Sequence, residues 1–103
     1  MSELNDVSVV KAANIYFDGK VTSRTVRLAD GSHKTLGFMQ AGEYAFGTEQ
    51  AEVMEVLAGS ALVKVDAEQD WRRYAAGSEF NVPANASFQL VVDEYLDYCC
   101  SYV

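Results

Sequence analysis

The feature of this sequence that most constrains its fold is a series of glycine-containing dipeptides at short intervals. Each dipeptide follows a short run rich in β-branched and aromatic residues, which are the residue types enriched in strands. Glycine adopts positive φ angles at little steric cost, so these dipeptides favour turns between strands. Their spacing of about 11 to 18 residues predicts a sandwich or barrel rather than βαβ units. The dipeptides are Asp18-Gly19, Asp30-Gly31, Ala41-Gly42, Ala58-Gly59 and Ala76-Gly77.

Apolar and polar residues alternate in the second half of the chain with the period of a β-strand. In segment 61–66 an alanine and two valines fall on one face, and Lys64 and Asp66 fall on the other. Segment 49–55 is the one stretch that could be helical, and its valine and methionine fit a strand equally well. The sequence therefore predicts an all-β fold of about nine or ten strands.

Length and charge limit the class of protein further. With 103 residues the chain is expected to form one domain over residues 14–103, preceded by an N-terminal tail or edge strand over residues 1–13. The net charge of -7 disfavours binding to nucleic acid polymers. No apolar run approaches the ~18 residues of a membrane span, and the N-terminus does not resemble a signal peptide. We therefore expect a cytoplasmic protein that binds neither nucleic acid nor membranes.

The two cysteines, Cys99 and Cys100, are adjacent in the chain. A disulfide between neighbours would strain the peptide that joins them, so both are expected to be free thiols. Free thiols fit a reducing compartment. We expect one of them to pack inward as a small apolar residue and the other to face outward or an interface.

Two spacings in the chain resemble the paired motifs of cupins. Glu52 is followed by six residues and then Gly59, as at the end of the first cupin motif, and Gly42 precedes them at about the motif's distance. Gly77 is followed by five residues and then Pro83, as at the start of the second motif. The resemblance implies a single-domain, cupin-type β-barrel of the jelly-roll kind.

The histidines that bind metal in cupins are missing from these motifs. Segment 44–50 contains no histidine, the second-motif histidine position is Phe88, and the one histidine of the chain is His33. Neither phenylalanine nor threonine replaces an imidazole ligand. We therefore expect no metal in the barrel.

The side chains at the former metal positions suggest a pocket for an organic ligand. Alternate residues of a strand share a face, and here that face carries aromatic rings and a hydroxyl. Such a pocket would stack a flat heterocycle and hydrogen-bond a sugar. The alternative is that these aromatics simply fill the core of a small barrel. The predicted lining is Tyr44, Phe46, Thr48, Met54 and Phe88, with Glu52 as its carboxylate.

Most of the chain resembles a known enzyme family. The segments 16–21, 34–37, 42–48, 52–59, 77–83 and 98–102 are similar to those of the small bacterial pyrimidine/purine nucleoside phosphorylases. The resemblance covers roughly residues 14–103. It implies a pentosyltransferase that converts purine and pyrimidine nucleosides and inorganic phosphate to free base and pentose 1-phosphate. It also implies a homodimer, with phosphate as co-substrate and no cofactor.

For such a reaction, the cupin spacing and the chemistry of the transition state make Glu52 the predicted catalytic residue. Its carboxylate would accept hydrogen bonds from the 2′ and 3′ hydroxyls of the pentose and favour an oxocarbenium-like transition state. The alternative is a structural carboxylate that neighbouring groups satisfy. Aromatic stacking tolerates any base, because every base has a π-face. Tyr44, Phe46 and Phe88 are the predicted stacking residues.

Phosphate requires hydrogen-bond donors and preferably a positive charge. Lys20 and Arg24 are the predicted phosphate-binding residues, since they lie in or beside the segments that carry the resemblance. His33 is a weaker candidate, and Thr48 could bind phosphate or sugar.

A second hypothesis is that the chain is a non-catalytic, metal-free cupin that binds a small ligand. No residue in the sequence is by itself an unambiguous catalytic group. Turnover of nucleosides, as opposed to binding alone, distinguishes the two hypotheses.

Overall fold

The computed structural model describes residues 2–66 and 70–103. Their backbone confirms the all-β prediction, and none of them forms a helix with the length and apolar character that crossing a membrane requires. A 3-10 turn spans Phe17–Gly19. The strands are β1 (Ser8–Val9), β2 (Asn14–Tyr16), β3 (Val21–Arg27), β4 (His33–Gly47), β5 (Glu52–Val65), β6 (Arg72–Ala75), β7 (Glu79–Val82) and β8 (Ser87–Tyr102).

The eight strands of the described residues belong to one sheet, and the pairings between them are antiparallel. The order is β1-β3-β4-β8-β5-β6, with β2 also paired to β3 and β7 also paired to β5. Strand β8 lies at the centre, between β4 and β5, and pairs with both along nearly its whole length. These three long strands therefore determine where the interior of the molecule lies.

The prediction of nine or ten strands is wrong, because two of the predicted turns are bulges inside long strands. Strand β4 continues through Gly42, with a register shift after Gln40. Strand β5 continues through Gly59, with shifts on both sides of it. A bulge uses a glycine at positive φ just as a hairpin turn does, so the local sequence does not distinguish the two.

Gly59 is required at its bulge by a close approach of two strands. Its φ is +80°, and a Cβ atom there would lie 2.0 Å from the backbone oxygen of Tyr95. Any side chain at this position would therefore displace β5 from β8.

The bulges let the long strands bend, so that each strand contributes to two leaves of the sheet. The first leaf contains segments 33–40, 52–59 and 95–102, and the second leaf contains segments 42–47, 61–65 and 87–92. The 3-10 turn packs against the second leaf, since the ring of Phe17 lies 5.0 Å from that of Tyr44. Buried side chains of both leaves belong to one core cluster, among them Met54 of the first leaf and Phe88 of the second.

The core is apolar where the leaves pack most closely. Leu90, Leu96 and Met39 are among the largest fully buried side chains. Val63 and Val65 are also buried while Asp66 is exposed, which confirms the alternation predicted for segment 61–66.

The N-terminal residues pack on the outside of the first leaf. Strand β1 pairs with the edge of β3, and Leu4 and Val9 line a pocket that Cys99 also lines. Cys100 faces the interior instead. As the sequence predicts, both thiols are free and lie on opposite faces of β8; Cys99, on the outer face, is buried as well.

Candidate functional site

A two-chambered cavity lies along the inner face of the first leaf. The outer chamber has a volume of about 570 Å³ and opens at the end of the first leaf. The inner chamber has a volume of about 250 Å³ and reaches toward the second leaf. Four residues line both chambers, so the two chambers adjoin each other: Tyr16, Thr35, Glu52 and Tyr102.

The register of the first leaf arranges the polar lining in transverse rows. In one row Thr35 of β4 pairs with Thr25 of β3 on one side and with Cys100 of β8 on the other. The next row, nearer the opening, contains the pair Arg27 and His33 and the pair Tyr102 and Glu52. This second row continues across β4 and β8, because the ring of His33 stacks on that of Tyr102 at 4.7 Å.

Glu52 lies where the two chambers meet. Its side chain is half-buried, and the Cys100 thiol donates a hydrogen bond of 3.4 Å to its Oε1. Burial raises the pKa of the Glu52 carboxyl above its ordinary value, and the thiol hydrogen bond opposes that rise. The carboxylate keeps acceptor capacity for a ligand, because a carboxylate has about four lone-pair sites.

An apolar wall closes the inner chamber on the side of the second leaf. The rings of Phe46 and Phe88 stack at 5.6 Å with an interplanar angle of 28°, and Met54 lies in the same lining. Phe88 and Met54 are buried, whereas Phe46 is partly exposed to the cavity. Four of the predicted site residues, including Glu52, are therefore brought together around this chamber.

Two other predicted site residues do not line either chamber. Tyr44 is buried behind the wall, where its hydroxyl donates to the Gln40 carbonyl at 2.8 Å. The Thr48 hydroxyl donates to the Pro83 carbonyl at 2.6 Å and accepts from the Ala86 amide at 3.0 Å. Both hydroxyls are engaged in holding the backbone.

The two lysine and arginine residues predicted to bind phosphate also lie away from the cavity lining. Lys20 is exposed at the end of the 3-10 turn. Arg24 is on the outer side of β3, where its Nε donates to the Lys11 carbonyl at 3.2 Å. Arg27 and His33 line the outer chamber instead.

Two tyrosines that sequence reasoning missed add hydroxyl groups to the lining. Tyr98 lies against Gly37, where a Cβ atom would come within 2.3 Å of its ring. Tyr102 is within 3.3 Å of the Thr35 hydroxyl. Burial raises the pKa of both phenols, that of Tyr102 to about 12, so both are neutral donors near pH 7. The period-2 pattern of segment 98–102 is the signal that could have placed both with Cys100.

The residues present do not fit the metal centre of a cupin. Across residues 2–66 and 70–103, no group of three or more histidine, cysteine, aspartate and glutamate side chains is placed to hold a metal ion. Phe88, at the second-motif histidine position, provides no donor atom.

Comparison with known proteins identifies the family. Residues 11–102 match the family model described as pyrimidine/purine nucleoside phosphorylase. The chain belongs to the pyrimidine/purine nucleoside phosphorylase family. A relative with that name from Hydrogenovibrio crunogenus is 57% identical over 103 residues, which is 100% of this chain and 99% of the relative.

Solved structures agree with the fold. A protein of unknown function from Acinetobacter sp. ADP1 superposes with a TM-score of 0.95 at 36% identity, covering 98% of each chain. An RmlC-like cupin from Shewanella frigidimarina superposes with a TM-score of 0.69 at 16% identity, covering 98% of this chain and 86% of the cupin. The second likeness concerns the fold alone, and it confirms that this phosphorylase family member has a cupin-type fold.

Proposed function

We propose that this protein is a pentosyltransferase that cleaves purine and pyrimidine nucleosides with inorganic phosphate inside the two-chambered cavity. The observation that carries the proposal is the position of Glu52, a half-buried carboxylate between an apolar aromatic wall and a polar outer chamber. A nucleoside matches this arrangement, because its flat base would lie on the aromatic wall and its hydroxylated pentose would lie toward the polar chamber. The reacting carbon joins the base to the pentose. The family name of the relatives supports the same reaction class.

In this reaction a phosphate oxygen forms a bond to C1′ while the bond between C1′ and the base nitrogen breaks. The electron pair of that bond leaves with the base, and the proton of hydrogen phosphate ends on the base. Positive charge develops on the pentose ring in the transition state. The Glu52 carboxylate would accept hydrogen bonds from the pentose hydroxyls and stabilise that charge electrostatically.

The apolar wall supports broad base specificity. Phe46, Met54 and Phe88 offer ring faces and a thioether, but no hydrogen-bonding group that would select one base edge. Stacking on such a wall favours any planar base. The hydroxyls of Tyr44 and Thr48 and the cations Lys20 and Arg24 have no part in this proposal, because all four residues lie outside the cavity lining.

The reaction is tested by incubating purified protein with uridine, inosine and adenosine, with and without phosphate. We expect free base only in the presence of phosphate, and unchanged rates after treatment with a chelator. Intact nucleosides after incubation with phosphate would contradict the proposal. Nucleoside binding without turnover would instead support the non-catalytic binding module.

Glu52 itself is tested by Glu52→Gln, with Glu55→Gln as a matched control on the outward side of the same strand. We expect the first variant to lower kcat/KM by about 100-fold or more, the size of a lost electrostatic contact in a transition state. The control should retain wild-type kinetics. Equal kinetics in both variants would remove Glu52 from the catalytic machinery.

We also propose that the protein forms a homodimer through the outer face of the first leaf. Phe38 and Tyr95 stack there at 5.7 Å although both are exposed, and Leu36 and Leu57 are exposed as well. Contiguous exposed apolar groups are typical of association surfaces. Phe38→Asp should convert a dimer to a monomer in light-scattering chromatography, whereas Trp71→Asp should not. A monomeric wild type would contradict this proposal.

The free thiols on opposite faces of β8 support a cytoplasmic location, where cysteines stay reduced. Fractionation of cells that produce the protein, followed by immunodetection, tests this assignment. Recovery outside the cytoplasmic fraction would contradict it.

A further inference from the structure

Positive charge in the cavity lining is confined to one place. Among the described residues that line the two chambers, Arg27 and His33 are the ones that can carry it, and both belong to the outer chamber. They face each other across β3 and β4 at the cavity mouth. The same chamber contains the carboxylates of Glu49 and Glu52, which repel a phosphate dianion from the rest of the space.

Arg27 differs from the other arginines whose contacts are known. The Nε of Arg24 is bound to a backbone carbonyl, and Arg73 forms an ion pair with Asp93. No hydrogen bond or ion pair within residues 2–66 and 70–103 involves the guanidinium of Arg27, although Glu49 and Glu52 line the same chamber. Its donors therefore remain available to a ligand.

We infer that Arg27 binds the phosphate co-substrate at the mouth of the cavity, an inference that rests on the proposed nucleoside phosphorolysis. A guanidinium presents a planar fork of donors that matches two phosphate oxygens at once. His33 is held beside it by stacking on Tyr102, and contributes ring nitrogens at its edge. The phosphate then approaches C1′ from the outer chamber, on the side opposite the aromatic wall.

This placement orders the reactants along the cavity. The base lies on Phe46 and Phe88 in the inner chamber, and the pentose lies at Glu52 where the chambers meet. Phosphate lies in the row of Arg27 and His33. Arg27 is thus a binding residue for the phosphate that becomes part of pentose 1-phosphate.

The test compares Arg27→Met with Arg24→Met, a matched change three residues earlier on the outer side of the same strand. We expect Arg27→Met to raise the KM for phosphate by about 10- to 100-fold, as expected for the loss of charge-assisted hydrogen bonds. The dissociation constant for inosine, measured calorimetrically without phosphate, should change by less than about 2-fold in both variants, because neither side chain faces the base. Arg24→Met should leave the KM for phosphate unchanged.

Direct titration with inorganic phosphate separates failure of this inference from failure of the proposed function. If wild type cleaves nucleosides and Arg27→Met keeps the wild-type phosphate KM, the inference is overturned and the reaction stands. If wild type binds phosphate through Arg27 without cleaving nucleosides, the reaction fails and the binding site stands. If wild type neither binds phosphate nor cleaves nucleosides, both fail. Arg27→Lys keeps the charge but loses the planar fork of donors, so it should give an intermediate KM for phosphate. This variant replaces Arg27→Met in the test if Arg27→Met does not fold.

Discussion

The two leaves are built from the same three strands, yet their inner faces differ in chemistry. In the first leaf, β4, β5 and β8 present Thr35, Glu52 and Cys100 to the cavity. In the second leaf, the same strands present Tyr44, Val63 and Leu90 to a closed apolar core. The difference teaches that, within these three strands, the polar groups of the cavity come from the first leaf, although both leaves contribute to the apolar core and the backbone continues from one into the other.

The bulges make this division possible. In β4 the inward residues have odd numbers before Gly42 and even numbers after it, and in β5 the order is reversed across Gly59. A shift of one residue moves a side chain to the opposite face of a sheet. Because of the bulges, odd-numbered residues point inward in one leaf of a strand and even-numbered residues point inward in the other.

Gly59→Ala should give the largest loss of stability, because it disturbs the bulge of β5 at which the two leaves meet. The new Cβ would clash with the backbone oxygen of Tyr95 and occupy a strained φ of +80°. We expect a loss of about 3 kcal/mol or more in the free energy of unfolding, measured in urea. Gly77→Ala is the control, since its φ is +90° and no atom lies within 4 Å of the added Cβ. Equal losses in both variants would show that the contact with the Tyr95 backbone does not contribute to the loss.

The next-largest loss of stability is expected from a pair of opposite substitutions, one in each leaf. Val63→Thr places a hydroxyl in the apolar core of the second leaf, at a cost of about 1 to 3 kcal/mol in unfolding free energy. Thr35→Val removes a hydroxyl from the cavity of the first leaf, so we expect a smaller loss of stability and a higher KM for nucleoside. Thermal unfolding and steady-state kinetics measure the two effects. The comparison fails if Thr35→Val is the more destabilising change.

Glu52→Gln should have the smallest effect on stability, and the size of that effect depends on pH. Because burial raises the folded pKa of Glu52, the folded state binds the proton more tightly than the unfolded state does. Its contribution to stability is therefore present below the unfolded pKa and is lost as pH rises through the folded pKa. We expect the variant to melt above wild type near pH 7.5, and the difference to shrink toward pH 4. A wild type that gains stability over the variant as pH rises would contradict this.

The sequence predicts part of the site because the cupin spacing is local. The interval from Glu52 to Gly59 and the position of Phe88 depend on short segments, and Glu52, Met54, Phe46 and Phe88 do meet in the inner chamber. Tyr44 shares the predicted face with Phe46, but Phe17 covers it, and the depth of a side chain depends on such distant contacts.

The mouth of the cavity could not be predicted in the same way. Arg27 and His33 come together with Tyr102 only when β3, β4 and β8 pair in one register. Register between distant strands depends on long-range packing, which local alternation does not encode. Reasoning from local segments therefore favours Arg24, which lies beside the segments that carry the family resemblance, and it misses Arg27.

The central position of β8 also determines how the molecule can assemble. Strands β4 and β5 are both synthesised before the strand that pairs with each of them. Until β8 emerges, neither of the two long ladders can form, and the edges of β4 and β5 that pair with β8 remain open to other strands. Formation of the cavity is therefore a late event. The same sixteen-residue strand, β8, completes both the substrate site and the centre of the sheet.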